Sequence, residues 1–199
     1  KGTDFWFAYP KGATINPVAG SSSASASVAF TVTGDIGTTL SITHPSSSGS
    51  GSTSTTGTLQ ATSAGSSYGG YYRLRFSLNP DYYQATQTDG IDTRTYHVVA
   101  SAPVSIEQDY TISYYPTPTS SVSPPDARWQ AIPTDSLGKE YYVLSYQNQS
   151  VAYGSNDSRF VRDSEGTQFV VVATADATDV TITPSATFGS RVANTPYTI

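Results

Sequence analysis

Gly2–Thr3–Asp4–Phe5–Trp6–Phe7–Ala8–Tyr9 opens the chain, and its pattern returns at Gly138–Lys139–Glu140–Tyr141–Tyr142–Val143–Leu144–Ser145–Tyr146. Each copy has a glycine, a polar residue, an acid, three large apolar or aromatic residues and a tyrosine close behind. A second shared phrase follows each copy. The first is Ala29–Phe30–Thr31–Val32–Thr33–Gly34–Asp35, then Leu40–Ser41–Ile42–Thr43. The second is Gln168–Phe169–Val170–Val171–Val172–Ala173, then Asp176 and Val180–Thr181–Ile182–Thr183–Pro184. Matched phrases in the same order define an internal repeat, and a repeat divides a chain before any other feature is weighed. The division expected is a first lobe over 1–137 and the start of a second, incomplete one over 138–199.

Val28–Thr33 and Thr39–Thr43 alternate apolar residues with threonine, which predicts strands with Val28, Phe30, Val32, Leu40 and Ile42 facing a core. Gly34–Asp35–Ile36–Gly37 between them predicts a hairpin, and Phe169–Ala173 with Asp179–Thr183 predicts its counterpart. The repeated pattern makes Phe5, Phe7, Tyr141 and Val143 core residues. Further strands are expected at Tyr71–Leu78, Thr93–Ala100, Val104–Gln108, Tyr110–Tyr115 and Arg128–Pro133. Pro103 signals an edge, a bulge or a sharp bend. The tract 45–57 is almost wholly serine, glycine and threonine, which predicts a flexible loop within the first lobe. Pro116, Pro118, Pro124 and Pro125 predict a stiff crossover over 116–125. No segment has a helical period. The expected class is all-β, as antiparallel β-sandwich lobes related by the repeat.

Ten basic and fifteen acidic residues leave a net charge of −5, and no basic stripe invites nucleic acid. The chain has no cysteine, which removes disulfides, thiol nucleophiles and sulfur-ligated zinc. No 18-residue apolar run exists, so no membrane-spanning helix is expected. Low charge and abundant serine, threonine and tyrosine suit an extracellular or cell-surface β-protein. Lys1–Gly2 leads directly into a strand pattern, as in a processed chain. Asn148–Gln149–Ser150 and Asn156–Asp157–Ser158 fit the N-glycosylation sequon.

Catalytic chemistry finds little to work with. His44 and His97 sit in no local serine or acid motif, and Glu107, Glu140 and Glu165 are isolated from one another in sequence. The chain is therefore expected not to be an enzyme. Asp176 with Asp179, and Asp89 with Asp92, place carboxylates in tight turns that can offer oxygen to calcium. Aspartate in such turns also caps its own backbone, so both readings stand. The fifteen tyrosines exceed what a sandwich core needs. Tyr68, Tyr71, Tyr72, Tyr82, Tyr83, Tyr114 and Tyr115 are candidates for a binding surface, since tyrosine supplies rigid amphipathic contact area. Adjacent tyrosines on a strand point to opposite faces, so only one of each pair can be core. The plainer alternative is that the outward ones merely cover the sheet.

Several longer phrases carry a resemblance. Gly2–Phe7, Val98–Val99–Ala100–Ser101–Ala102–Pro103–Val104–Ser105–Ile106, Ala131–Ile132–Pro133–Thr134–Asp135–Ser136–Leu137–Gly138–Lys139–Glu140–Tyr141–Tyr142–Val143 and Phe169–Pro184 resemble, in order, the IgGFc-binding protein N-terminal domain family. Its bacterial members sit near the start of long secreted or cell-surface proteins. The resemblance implies a β-sandwich, extracellular display and an adhesive role, and it supplies no catalytic motif. The expected function is a non-catalytic adhesion or binding module that engages glycan or a surface protein through a tyrosine-rich surface. The alternative is a structural subunit of an extracellular fibre or matrix, built by strand-edge pairing. Self-association, or completion by a downstream segment, would then follow from unpaired strand edges.

Overall fold

The chain folds around one long strand. In chain order the elements are β1 (Gly2–Phe7), β2 (Ser23–Gly34), β3 (Thr39–Pro45), β4 (Ser52–Thr58), β5 (Gln60–Ala61), β6 (Gly70–Ser77), β7 (Tyr96–Thr117), β8 (Ser120–Val122) and β9 (Ala127–Gln130). A 3-10 turn at Thr134–Ser136, then β10 (Thr181–Ile182) and β11 (Tyr197–Thr198), complete the series. The computed structural model describes residues 1–10, 23–61, 69–77, 83, 85, 90–117, 120–122, 127–143, 169–187 and 189–199. Its pairings are antiparallel, in the order β4-β3-β7-β2-β6-β5, with β1, β8 and β9 also on β7. The all-β expectation therefore holds.

β7 is a spine because both of its edges are used. On one edge its first half takes β3, with Ile42 opposite Val98, and its second half takes β2, with Val32 opposite Ile106. On the other edge it takes β1, with Phe5 opposite Val98, then β9 and β8. Pro103 lies within this strand, and the register against β1 shifts as at a bulge at the same level, between Gly2 and Asp4. The single sheet thereby curls into two halves that enclose one core.

The expected hairpin over Gly34–Gly37 is corrected. β2 pairs with β6 and β7, and β3 with β4 and β7, so β2 and β3 are not partners. They run end to end in one direction along β7, separated by the four-residue arch 35–38. Gly37 adopts φ +87° there, and Thr38 N–H bonds Asp35 O at 3.2 Å. Leu59, fully buried, seals this corner: its N–H bonds Thr38 O, and its carbonyl accepts from Gly37. β4 and β5 meet at the same residue, so three chain passages change sheet halves at one level. A glycine holds the packing together. A Cβ on Gly70 would lie 2.6 Å from Leu59 Cβ and 3.0 Å from both Asp35 O and Ile36 Cα. Gly70→Ala must therefore push backbone aside, and a loss of about 1–3 kcal/mol is expected in urea unfolding. A neutral result would contradict the arch.

The core follows the alternation read from the sequence. Val28, Phe30, Val32, Leu40 and Ile42 are all buried, joined by Phe5, Phe7, Tyr9, Tyr96, Val98, Val104 and Ile106. Phe7 stands at its centre, parallel to Tyr96 at 5.3 Å and edge-on to Phe30 at 5.3 Å.

Three further expectations change. Tyr141 and Val143 are 56% and 54% exposed, whereas Phe5 and Phe7 are 1% and 4% exposed, so the expected core placement is corrected for Tyr141 and Val143. The Tyr141 ring turns back on its own turn, its hydroxyl accepting from Gly138 N–H at 2.7 Å. The tract 45–57 is not all loop: Ser52–Thr58 is the edge strand β4, paired with β3 along its length. A strand needs backbone partners more than apolar side chains, and a polar edge is the usual form at a sheet boundary. Likewise 116–125 contains the end of β7 and the short strand β8, which pair as Thr117 with Ser120. The second expected hairpin is corrected too, since β10 pairs with β11 and not with Phe169–Ala173.

Candidate functional site

Inward residues fix where their neighbours point, because successive side chains on a strand face opposite sides. With Phe5 and Phe7 in the core, Asp4 and Trp6 face outward. With Tyr96, Val98 and Ala100 buried, His97 and Val99 face outward as well. The register then assembles two rows across four strands. One row is Asp4–Val99–Ser41–Thr56, and the other is Trp6–His97–Thr43–Ser54.

Each row has an anchor at the β1 end. Trp6 stacks on His97 with ring centroids 4.0 Å apart and planes 13° from parallel. His97 Nε2 lies 3.3 Å from Asp4 Oδ2, and Thr134 donates to Asp4 Oδ1 at 2.6 Å. The carboxylate is thus held from two sides and holds the imidazole in turn, which leaves the indole on a rigid base. A preorganised aromatic loses little side-chain freedom when a ligand arrives. Toward β4 the surface becomes a carpet of hydroxyls around Val99, which is 40% exposed. A shallow trough of about 800 Å³ adjoins it, with Ser41, Thr56, Gly57, Tyr72, Val99 and Ser101 among its walls. The Tyr72 ring fills the place a Cβ on Gly57 would take, coming within 2.5 Å of that position.

The other half of the sheet presents a different outer face. Arg73 Nη2 bonds Asp109 Oδ1 at 2.8 Å and Nη1 bonds Thr31 Oγ1 at 3.1 Å. Arg75 Nε bonds Ser27 Oγ at 2.9 Å, and Arg128 faces Glu107 at 3.6 Å. These charges are engaged with one another across the strands. Tyr71 lies beside them at 36% exposure.

Of the tyrosines singled out in the sequence, Tyr72 enters the trough and Tyr71 lies on the charged face. Tyr83 packs against the core, stacked on Phe76 at 4.5 Å, and its carbonyl accepts from Tyr96 Oη at 2.7 Å. Tyr114 and Tyr115 are placed by their backbone alone, opposite Ala24 and Ser23. Tyr68 and Tyr82 lie outside the described residues. Asp176 and Asp179 sit exposed around the turn at Ala177, which has φ +53°. Asp92 bonds Arg94 Nη1 through both carboxylate oxygens, at 3.0 and 2.8 Å, while Asp89, Glu165 and both sequons lie outside the described residues. Among the described residues no group of three or more His, Cys, Asp or Glu could hold a metal ion. Glu107 and Glu140 are exposed. In the sequence Trp6 is hidden inside the phrase Gly2–Tyr9. The signal that could have found it was a tryptophan alternating with two core phenylalanines.

The architecture is a two-halved all-β unit with an aromatic and hydroxyl-bearing outer face. Residues 127–199 match the family model described as IgGFc binding protein. That match covers β9, the 3-10 turn and the C-terminal stretch, and it bears out the resemblance over those residues. No curated protein and no solved structure matches the chain. No helix among the described residues is long and apolar enough to cross a membrane.

Proposed function

We propose that the chain is an extracellular, non-catalytic binding module whose ligand seats on the outer face of β1, β7, β3 and β4. The single observation that supports this most is the Trp6–His97 stack, braced by Asp4 and bordered by Ser41, Thr43, Ser54 and Thr56. An aromatic face with a neighbouring carboxylate and many hydroxyls suits a glycan: the ring covers apolar sugar C–H groups and the polar groups meet its hydroxyls. A protein surface is the other ligand in the same class, and the family's description makes an immunoglobulin Fc one arm of the test.

Wild-type chain and Trp6→Ala are compared on immobilised glycans, cell-surface proteins and Fc. Trp6 faces away from the core, so the variant keeps its fold. A central aromatic anchor removed from an interface costs about 2 kcal/mol or more, which is a loss of about thirtyfold in affinity. Equal binding by Trp6→Ala, together with loss in Tyr71→Ala, would move the site to the charged face and overturn this placement.

The edge strand β4 favours a second reading, a structural subunit joined edge to edge. That reading requires ordered polymers that grow with concentration and vanish when a proline is placed at Thr55.

A further inference from the structure

The outer face of β1, β7, β3 and β4 has a regular grain. Every outward position of β3 between 39 and 43, and of β4 between 54 and 58, bears a hydroxyl. Register pairs them as Thr39 with Thr58, Ser41 with Thr56 and Thr43 with Ser54. Ser101 of β7 extends the first pair, its Oγ accepting from Thr39 N–H at 3.0 Å. Ser41, Ser54 and Thr56 are exposed, and the open Val99 lies beside Ser41. Trp6 marks the β1 end of this face, and the Tyr72 ring, packed at Gly57 of β4, lines the trough at the other. Such a face offers a ligand two spacings. Neighbouring strands lie about 4.8 Å apart, whereas successive outward residues along one strand are about 6.8 Å apart. The first is close to the advance per sugar of an extended pyranose chain, and the second is not.

Composition narrows the partner. Serine is depleted at protein–protein interfaces, whereas hydroxyl side chains dominate here. The two rows hold one carboxylate, Asp4, one imidazole, His97, and no lysine or arginine, in a chain of net charge −5. That balance repels an acidic polymer. Asp4 is engaged by Thr134 and His97, yet its side chain is 44% exposed and keeps acceptor capacity for a sugar hydroxyl.

We infer that the ligand is an uncharged, linear, β-1,4-linked glycan. It lies across the strands, from the Trp6 indole over Val99 and Ser41 into the trough beside Thr56 and Tyr72. Linkage through equatorial positions makes such a glycan a flat ribbon, whose C–H faces stack on an aromatic ring and whose edges present hydroxyls. With one sugar to each strand, the four strands hold about four sugars, and a longer chain gains nothing further. This inference rests on the ligand face proposed above and specifies what that face takes.

The test titrates the full chain with cello-, manno- and xylo-oligosaccharides of increasing length, from disaccharide to hexasaccharide, and with oligogalacturonates of the same lengths. Affinity for at least one neutral series should rise with length to about four units and then level. The acidic oligomers should bind about tenfold more weakly than neutral ones of equal length. Thr56→Val keeps the β-branched shape and removes one exposed hydroxyl. It should lose about threefold to tenfold on the tetrasaccharide and nothing on the disaccharide, which sits at Trp6. Affinity that stops rising at the disaccharide, or acidic oligomers that bind as well as neutral ones, would overturn the inference. So would a failure of every oligosaccharide to bind. If Trp6→Ala still weakened binding to Fc or to a cell-surface protein, the ligand face would stand and only the glycan would fall. Oligosaccharide binding that neither Trp6→Ala nor Thr56→Val alters would overturn the ligand face itself.

Discussion

Phe7→Ala is expected to lower the free energy of unfolding by about 3–5 kcal/mol, the range for deleting a buried aromatic ring. Phe7 is 4% exposed and touches Tyr96, Phe30 and Tyr9, at centroid distances of 5.3, 5.3 and 6.2 Å. Its loss leaves a cavity lined by three rings too rigid to close it, and it removes aromatic pairs worth about 0.5–1.5 kcal/mol each. Most small domains are stable by about 5–15 kcal/mol, so the variant should be close to its limit. Urea titration followed by fluorescence reads this directly. A change below about 1 kcal/mol would mean that β1 does not pack into the core. Its neighbour Trp6 provides the contrast: one residue along the same strand, truncation should spare the fold and weaken binding by about thirtyfold.

Alkaline pH should unfold the protein through two buried phenols. Burial pushes Tyr9 and Tyr96 well above the ordinary tyrosine range. Tyr96 and Asp109 add to the rise at Tyr9, and Tyr83 adds to it at Tyr96. Both hydroxyls are donors in the fold, Tyr9 to Ala29 O and Tyr96 to Tyr83 O. Below about pH 10 each phenol is protonated folded and unfolded, so stability does not depend on it. Above that point the unfolded chain releases two protons that the folded chain retains. The unfolded state then binds fewer protons, and stability falls as pH rises, by about 2.7 kcal/mol per pH unit for the pair. Urea midpoints measured between pH 8 and 11.5 should be flat and then drop. The double variant Tyr9→Phe, Tyr96→Phe begins less stable, because the Ala29 and Tyr83 carbonyls lose their donors, but its alkaline slope should disappear. An unchanged slope in that variant would place the alkaline sensitivity elsewhere.

What the sequence revealed divides along local and distant information. Alternation identified the inward faces of β2 and β3 because burial of every second side chain is a local property of a strand. It could not tell an arch from a hairpin. Gly34–Asp35–Ile36–Gly37 suits either, and the choice is made by β7, more than fifty residues downstream. The tract 45–57 has the composition of a loop for a related reason: the edge strand β4 within it is held by backbone bonds to β3 and needs no apolar side chains. Tyr141 and Val143 share the pattern of Phe5 and Phe7 but are exposed, because burial depends on tertiary context that a local pattern does not encode. Abundance drew attention to the tyrosines, of which Tyr72 does reach the trough. The Trp6–His97 stack depends on register between residues far apart in sequence, which alternation implies for each strand separately but does not join.

The most direct measurement is a map of amide and indole chemical shifts on titration with a ligand that the binding screen identifies. Shifts concentrated at the Trp6 indole, His97, Val99, Ser41, Thr43 and Thr56, and absent from the Arg73–Asp109 face, are the predicted result. Shifts confined to Tyr71, Arg73 and Glu107, with the Trp6 indole unmoved, would contradict the assignment of the outer β1–β7–β3–β4 face as the binding surface.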